Sequence, residues 1–136
     1  MAGITRFEEI DGWKLARELT NTVYGLTQQT AFSKDFGLRD QIRRASVSVM
    51  SNIAEGFESR TDTQFINFLG MARASAGEVR SQLYIGLDQK YITPEQFKCA
   101  FELAEKCSQK IAGFISYLEN NSRQRRISDE AAEYTV

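Results

Sequence analysis

Histidine is absent from this sequence of 136 residues, and that one absence removes a large block of chemistry. A di-iron carboxylate bundle needs Glu-x-x-His pairs. Zinc sites lose their usual nitrogen ligand, and histidine-based triads lose their base. Cysteine is nearly as scarce. Cys99 and Cys107 stand eight residues apart on one expected helix, about 12 Å at about 1.5 Å per residue, too far for a disulfide. Both read as small core residues. No run of about eighteen apolar residues exists, so no membrane span is expected. The opening MAGITRFEEI lacks a signal-peptide core, and the expected location is cytoplasmic. Neither sign of charge dominates: 17 Lys and Arg against 18 Asp and Glu give a formal net charge of -1, with a pI of about 5.6. A freestanding nucleic-acid binder carries a basic excess, because phosphate contacts dominate its affinity. This chain has no such excess. Phosphate-cradling glycine loops, nucleophile elbows and metal-ligand spacings are missing as well. The expectation is therefore no enzyme, no cofactor, no metal and no small-molecule substrate.

What is present is helical periodicity. The length suits one domain with a real core, and 42% hydrophobic with 26% charged residues is ordinary for a globular chain. Four apolar stripes predict helices over about 10–27, 34–56, 62–89 and 94–120. In the first, Ile10, Trp13, Ala16, Leu19, Val23 and Leu26 face inward, with Trp13 as a core anchor. Ser33 is the expected cap of the second, despite Gly37 in its first turns. The third carries Phe65, Leu69, Ala72, Ala76, Val79 and Leu83 behind a Thr61–Gln64 capping box. The fourth begins at Thr93-Pro94-Glu95-Gln96, with threonine as cap and proline in the first helical position. Its buried face runs through Phe97, Phe101, Ala104, Cys107, Ile111, Ile115 and Leu118. Short links favour antiparallel neighbours. The fold class is all-α, an antiparallel up-down-up-down four-helix bundle over 1–121, with 122–136 as a flexible charged tail.

The second helix organises the chain. Leu38, Ile42, Ala45, Val49 and Ile53 form its core stripe, and Ser46, Met50 and Phe57 widen that face. Gly56 reads as its stop, free to take positive φ. A third row, Gln41, Arg44, Ser48, Asn52 and Glu55, is polar throughout. It is either a solvated face or a hydrogen-bonded seam against another helix or subunit. Serine and asparagine are poor mid-helix residues, which points to packing as the reason for them. QIRRASVSVMSNIAEGFESR and the later FINFLGMARASAGEVRSQL together resemble the four helix bundle protein family, also called the 23S rRNA intervening-sequence protein family. The likeness rests on Gln41, Arg44 and Ala45, then Asn52-Ile53-Ala54-Glu55-Gly56, then Phe68, Leu69, Ala72, Arg73, Ser75 and Glu78. It spans roughly residues 7 to 118. The resemblance implies a small antiparallel bundle that assembles as a homopentamer and has no established activity. It also implies kinship with a basic accessory protein of diversity-generating retroelements, which works with a reverse transcriptase and RNA.

Two sets of residues are candidates for function. Gly70, Ala74, Gly77 and Ser81 make a row of small residues beside the core stripe of the third helix. A helical glycine costs about 1 kcal/mol relative to alanine, so close approach by a neighbour must compensate. Packing inside the bundle and a subunit interface are both open, with Met50 and Phe57 as further interface candidates. Arg39, Arg43, Arg44 and Arg60 are the residues through which nucleic acid would be met, and oligomerisation would gather them about one axis. The default for such arginines is a solvated or salt-bridged surface. Glu55 and Glu78 are the carboxylates of the signatures, expected to pair with Arg73 or Arg44 rather than to do acid–base work. The expected function is a self-assembling scaffold or accessory factor; the alternative is a nucleic-acid-binding accessory protein acting with a reverse transcriptase or ribonucleoprotein.

Overall fold

Helix ends are fixed by side chains that satisfy the first free backbone N–H groups. The computed structural model describes the backbone of residues 3–135 and the side chains of residues 3–121. After a 3-10 turn at Phe7–Glu9 come α1 (Asp11–Thr27), α2 (Thr30–Lys34), α3 (Phe36–Phe57), α4 (Asp62–Asp88) and α5 (Pro94–Thr135). All elements among the described residues are helical. The helix α5 continues past residue 120, and the side chains of the expected charged tail lie outside those described.

Asp35 caps α3, accepting from the N–H of Leu38 at 3.1 Å. The expected cap, Ser33, instead lies inside the short α2 and donates to the carbonyl of Thr30 at 2.8 Å. An aspartate closer to the apolar stripe outcompetes it. Thr61 accepts from the N–H of Gln64 at 3.1 Å, and Gln64 in return accepts from the N–H of Arg60 at 3.0 Å. The box at Thr93 closes on itself: Gln96 N–H reaches Thr93 Oγ1 at 3.1 Å and Thr93 N–H reaches Gln96 Oε1 at 3.0 Å. Between α4 and α5, Lys90 takes a left-handed φ of 62°, which lets the Tyr91 N–H reach back to the Gly86 carbonyl at 2.8 Å.

The four long helices pack as a square in which α1 lies beside α3 and α5, and α4 beside α3 and α5. Along α3 and α4, Gln41 meets Gln82, Ser48 meets Ser75, and Gly56 meets Phe65, so numbers rise on one helix as they fall on the other. The core divides into two clusters. One holds Leu19, Val23, Phe32, Leu38, Ile42, Val79, Leu83 and Ile92; the other holds Ile10, Val49, Ile53, Phe65, Leu69, Ile111 and Leu118. Each fully buried large apolar side chain contributes about 1.5–3 kcal/mol.

The end of the molecule containing the first cluster is cross-linked through its loops. Tyr91 donates its hydroxyl to Asp35 Oδ2 at 3.0 Å, the Gln29 and Gln96 amides bond reciprocally at 3.4 and 3.3 Å, and Arg39 reaches the Ser33 carbonyl at 3.2 Å. The bond to the Asp35 carboxylate also holds the Tyr91 proton and raises its pKa.

The two cysteines differ. Cys107 is fully buried as expected, its thiol 3.5 Å from the Gly12 carbonyl, and burial pushes its pKa up to about 12. Cys99 is exposed, contrary to the core placement expected for it, because its position on α5 faces away from both clusters. An aromatic disulfide reagent at mildly alkaline pH therefore titrates one thiol in the native protein and the second only on unfolding. Rapid reaction of both native thiols would contradict the buried position of Cys107. Among the described residues, no helix is long and apolar enough to cross a membrane.

Candidate functional site

The polar row of α3 faces a polar row of α4, and the two make a hydrogen-bonded seam. Asn52 Nδ2 donates to the Ser48 carbonyl at 2.9 Å and to Ser48 Oγ at 3.0 Å. Ser48 Oγ and Ser75 Oγ stand 2.9 Å apart and share a hydrogen bond. Ser48 Oγ has a lone pair for Asn52 and still a proton or a second lone pair for Ser75, so either serine can donate. Further along, Gln82 Nε2 donates to Gln41 Oε1 at 3.5 Å. Gln41, Arg44, Ala45, Ser48, Ser75 and Glu78 line an open groove of about 270 Å³ between the helices. Residues of both sequence signatures, thirty or so positions apart, thus meet in one place.

Other signature residues lie elsewhere. Glu55 is exposed and outside the groove, and Arg73 is exposed on the outer surface of α4. No ion pair within 4 Å joins Glu55 or Glu78 to Arg44 or Arg73 among the described residues, so the pairs expected from sequence do not form within one chain. Gly56 is buried and helical rather than a left-handed stop; positive φ occurs in glycine only at Gly3 among the described residues. Its lack of a side chain makes room for α4: a Cβ there would stand 2.7 Å from Phe65 and 2.8 Å from Phe68. The close approach of two helices, not the turn, requires this glycine.

The arginines separate into two groups. Arg43 donates from Nε to Thr27 Oγ1 at 2.7 Å and lies 4.6 Å over the Tyr24 ring. Arg39 pairs with Asp40 at 2.9 Å and lies 4.9 Å over Phe36. Both are held by their own chain. Arg44 and Arg60 are exposed and make no ion pair within 4 Å among the described residues.

Met50 and Phe57 are half-buried against the second core cluster, which accounts for them without a sister copy. The small-residue row is different. Gly70, Ala74 and Ser81 are exposed; nothing lies within 4 Å of a Cβ placed at Gly70, and at Gly77 only the Arg80 guanidinium does. Packing inside the bundle therefore does not explain the row. Beside it stand Met71, Tyr84 and Ile85, 48%, 50% and 45% exposed. Their period falls between the stripes, so a search for buried faces passes over them. Gln82 was missed for another reason: it sits next to Leu83 on the inward side, 8% exposed, where sequence patterning anticipates an apolar residue.

A larger open cleft of about 820 Å³ lies where α5 passes the start of α1. Ile4 and Phe114 are among its apolar residues, with Glu9 and Asp11 from one segment and Lys106 and Lys110 from another. The Glu9 carboxyl is held below its usual range, first by the backbone N–H of Thr5.

The sequence profile of the family described as 23S rRNA-intervening sequence protein matches residues 8–113. No curated protein matches the chain. Among solved structures, the fold is similar to that of a protein of unknown function from the S23 ribosomal protein family of Bacteroides thetaiotaomicron. The TM-score is 0.72 at 24% identity, covering 76% of this chain and 97% of that one. At that identity the likeness speaks for the fold alone.

Proposed function

This chain belongs to the 23S rRNA-intervening sequence protein family, and from that membership we propose that it is a non-enzymatic antiparallel up-down-up-down bundle that assembles with copies of itself. Its role is that of a scaffold or accessory factor, and the assembly implied by the family resemblance is a homopentamer. One observation carries the reading: the outward face of α4 is small, partly apolar and uncovered. Two glycines within that helix have no reason inside a single chain, although each costs about 1 kcal/mol against alanine. A neighbouring copy approaching closely supplies one. Contacts made through two different sides of a bundle are head-to-tail, and such contacts form a ring when the rotation from copy to copy closes. The reversed numbering along α3 and α4 supports the antiparallel order.

Light scattering after gel filtration tests the assembly. The expected mass is a multiple of the 15.4 kDa chain, five for the pentamer. A mass of one chain at micromolar concentration would end the proposal. The alternative, an accessory protein that binds nucleic acid beside a reverse transcriptase, is less well supported. Two of its four candidate arginines are occupied within the chain, and the net charge is -1.

A further inference from the structure

We propose that Arg80 of one copy enters the α3–α4 groove of the next and pairs there with Glu78, so that the polar site is completed only by assembly. The inference rests on the assembly reading above and adds to it the contact that sets its direction and register. Arg80 has no hydrogen-bond or ion-pair partner among the described residues. Its Nε is buried with no hydrogen-bond acceptor, it makes no ion pair among the described residues, and its Nη2 lies back over Gly77, 3.7 Å from where a Cβ would stand. A guanidinium has five N–H groups to satisfy, and with Nε enclosed by its own chain it is the terminal ones that a neighbouring copy meets. Glu78 is the converse: exposed, in no ion pair within 4 Å among the described residues, and on the wall of a polar groove that it shares with Arg44. Around it the groove offers the Ser48 and Ser75 hydroxyls and the Gln41 amide.

The two residues cannot satisfy each other within one chain, because side chains two apart on a helix do not face one another. They are about 3 Å apart in rise and about 200° apart around α4. One therefore leans to the α5 side of the helix, where Tyr84 one turn on packs against Phe97 and Phe101, and the other leans to the α3 side. Opposite charges on opposite sides of one helix make the surface complementary to its own copy in a head-to-tail sense, the kind of contact that closes rings. In a ring whose axis runs along the bundle, neighbours keep the same height. The arginine of one copy then comes level with the carboxylate of the next, and α4 faces the axis. Arg44, on the opposite wall of the groove, forms no ion pair with Glu78, which leaves the carboxylate available.

Charge exchange tests this. Glu78→Arg and Arg80→Glu each place like charges at every contact, and each is expected to raise the dissociation constant of the assembly about tenfold or more. The double variant Glu78→Arg/Arg80→Glu restores the pair with its polarity reversed and is expected to assemble again. Sedimentation over a dilution series reads the assembly, and circular dichroism confirms that each variant keeps its helices. Single variants that assemble as tightly as the parent, or a double variant that stays dissociated, overturn the pairing while leaving self-assembly intact. A parent chain that is monomeric overturns the assembly reading and this inference with it. Should Arg80→Glu lose helicity, Arg80→Gln keeps the stem and removes the charge; assembly undiminished in that variant refutes the proposal.

Discussion

Replacing Phe32 with alanine lowers the stability of the fold by about 3–5 kcal/mol. Phe32 is wholly buried, the largest such side chain among the described residues, yet it belongs to the five-residue α2 between two long helices. Its ring fills the space left by Gly86, where a Cβ would stand 3.4 Å away, and packs against Tyr91 with centroids 5.3 Å apart. Truncation opens a cavity in the first core cluster and loosens the link that leads into α3. Domains have only about 5–15 kcal/mol in total, so a fall in Tm of roughly 10–20 °C is expected in thermal melts followed by circular dichroism. A shift of a degree or two would mean that the link, and not the core, holds this ring.

Gly56→Ala is expected to destabilise by about 1–3 kcal/mol. Helix propensity alone argues the other way, since alanine in a helix gains about 1 kcal/mol over glycine. Contact decides the sign. The added methyl would meet Phe65 Cδ1 at 2.7 Å and Phe68 Cβ at 2.8 Å, and the second atom is bonded to the α4 backbone and cannot swing aside. Phe65 has no better escape, being 3% exposed and wedged between Phe57 and Phe114. The helices must separate at that end, and the seam from Asn52 to Ser75 loosens with them. Urea unfolding with an unchanged m-value measures the loss; a variant as stable as the parent would show that the helices part without cost.

These two positions also mark where the sequence was readable. The stripes from Leu38 to Ile53 and from Phe65 to Leu83 are buried residue for residue, because a helix packed on one core repeats its apolar positions at a fixed period. Periodicity has nothing to say about a single ring between helices, and Phe32 falls between the stretches 10–27 and 34–56 where apolar stripes predict helix. Glycine carries two meanings, turn and close approach, and only the neighbour's position separates them. At Gly56 the neighbour is another helix of the same chain; at Gly70 nothing among the described residues lies within 4 Å of where a Cβ would stand. The seam was half legible: serines and an asparagine in mid-helix signalled that something selected them, but Ser75, which meets Ser48, and Gln82, which meets Gln41, lie on another helix whose register no local pattern reveals.

The stitching among loops at one end gives the two ends of the molecule different tolerance for insertion. Tyr91, Asp35, Gln29 and Gln96 tie the segment entering α3 to the segment entering α5. Extra residues in either would pull on the other, so both are held to their present length. The hinge between α3 and α4, at the other end, carries short-range bonds of its own: the Ser59 hydroxyl to the Gly56 carbonyl, the Arg60 N–H to Gln64 and the Gln64 N–H to Thr61. A change of length there leaves the stitched end untouched.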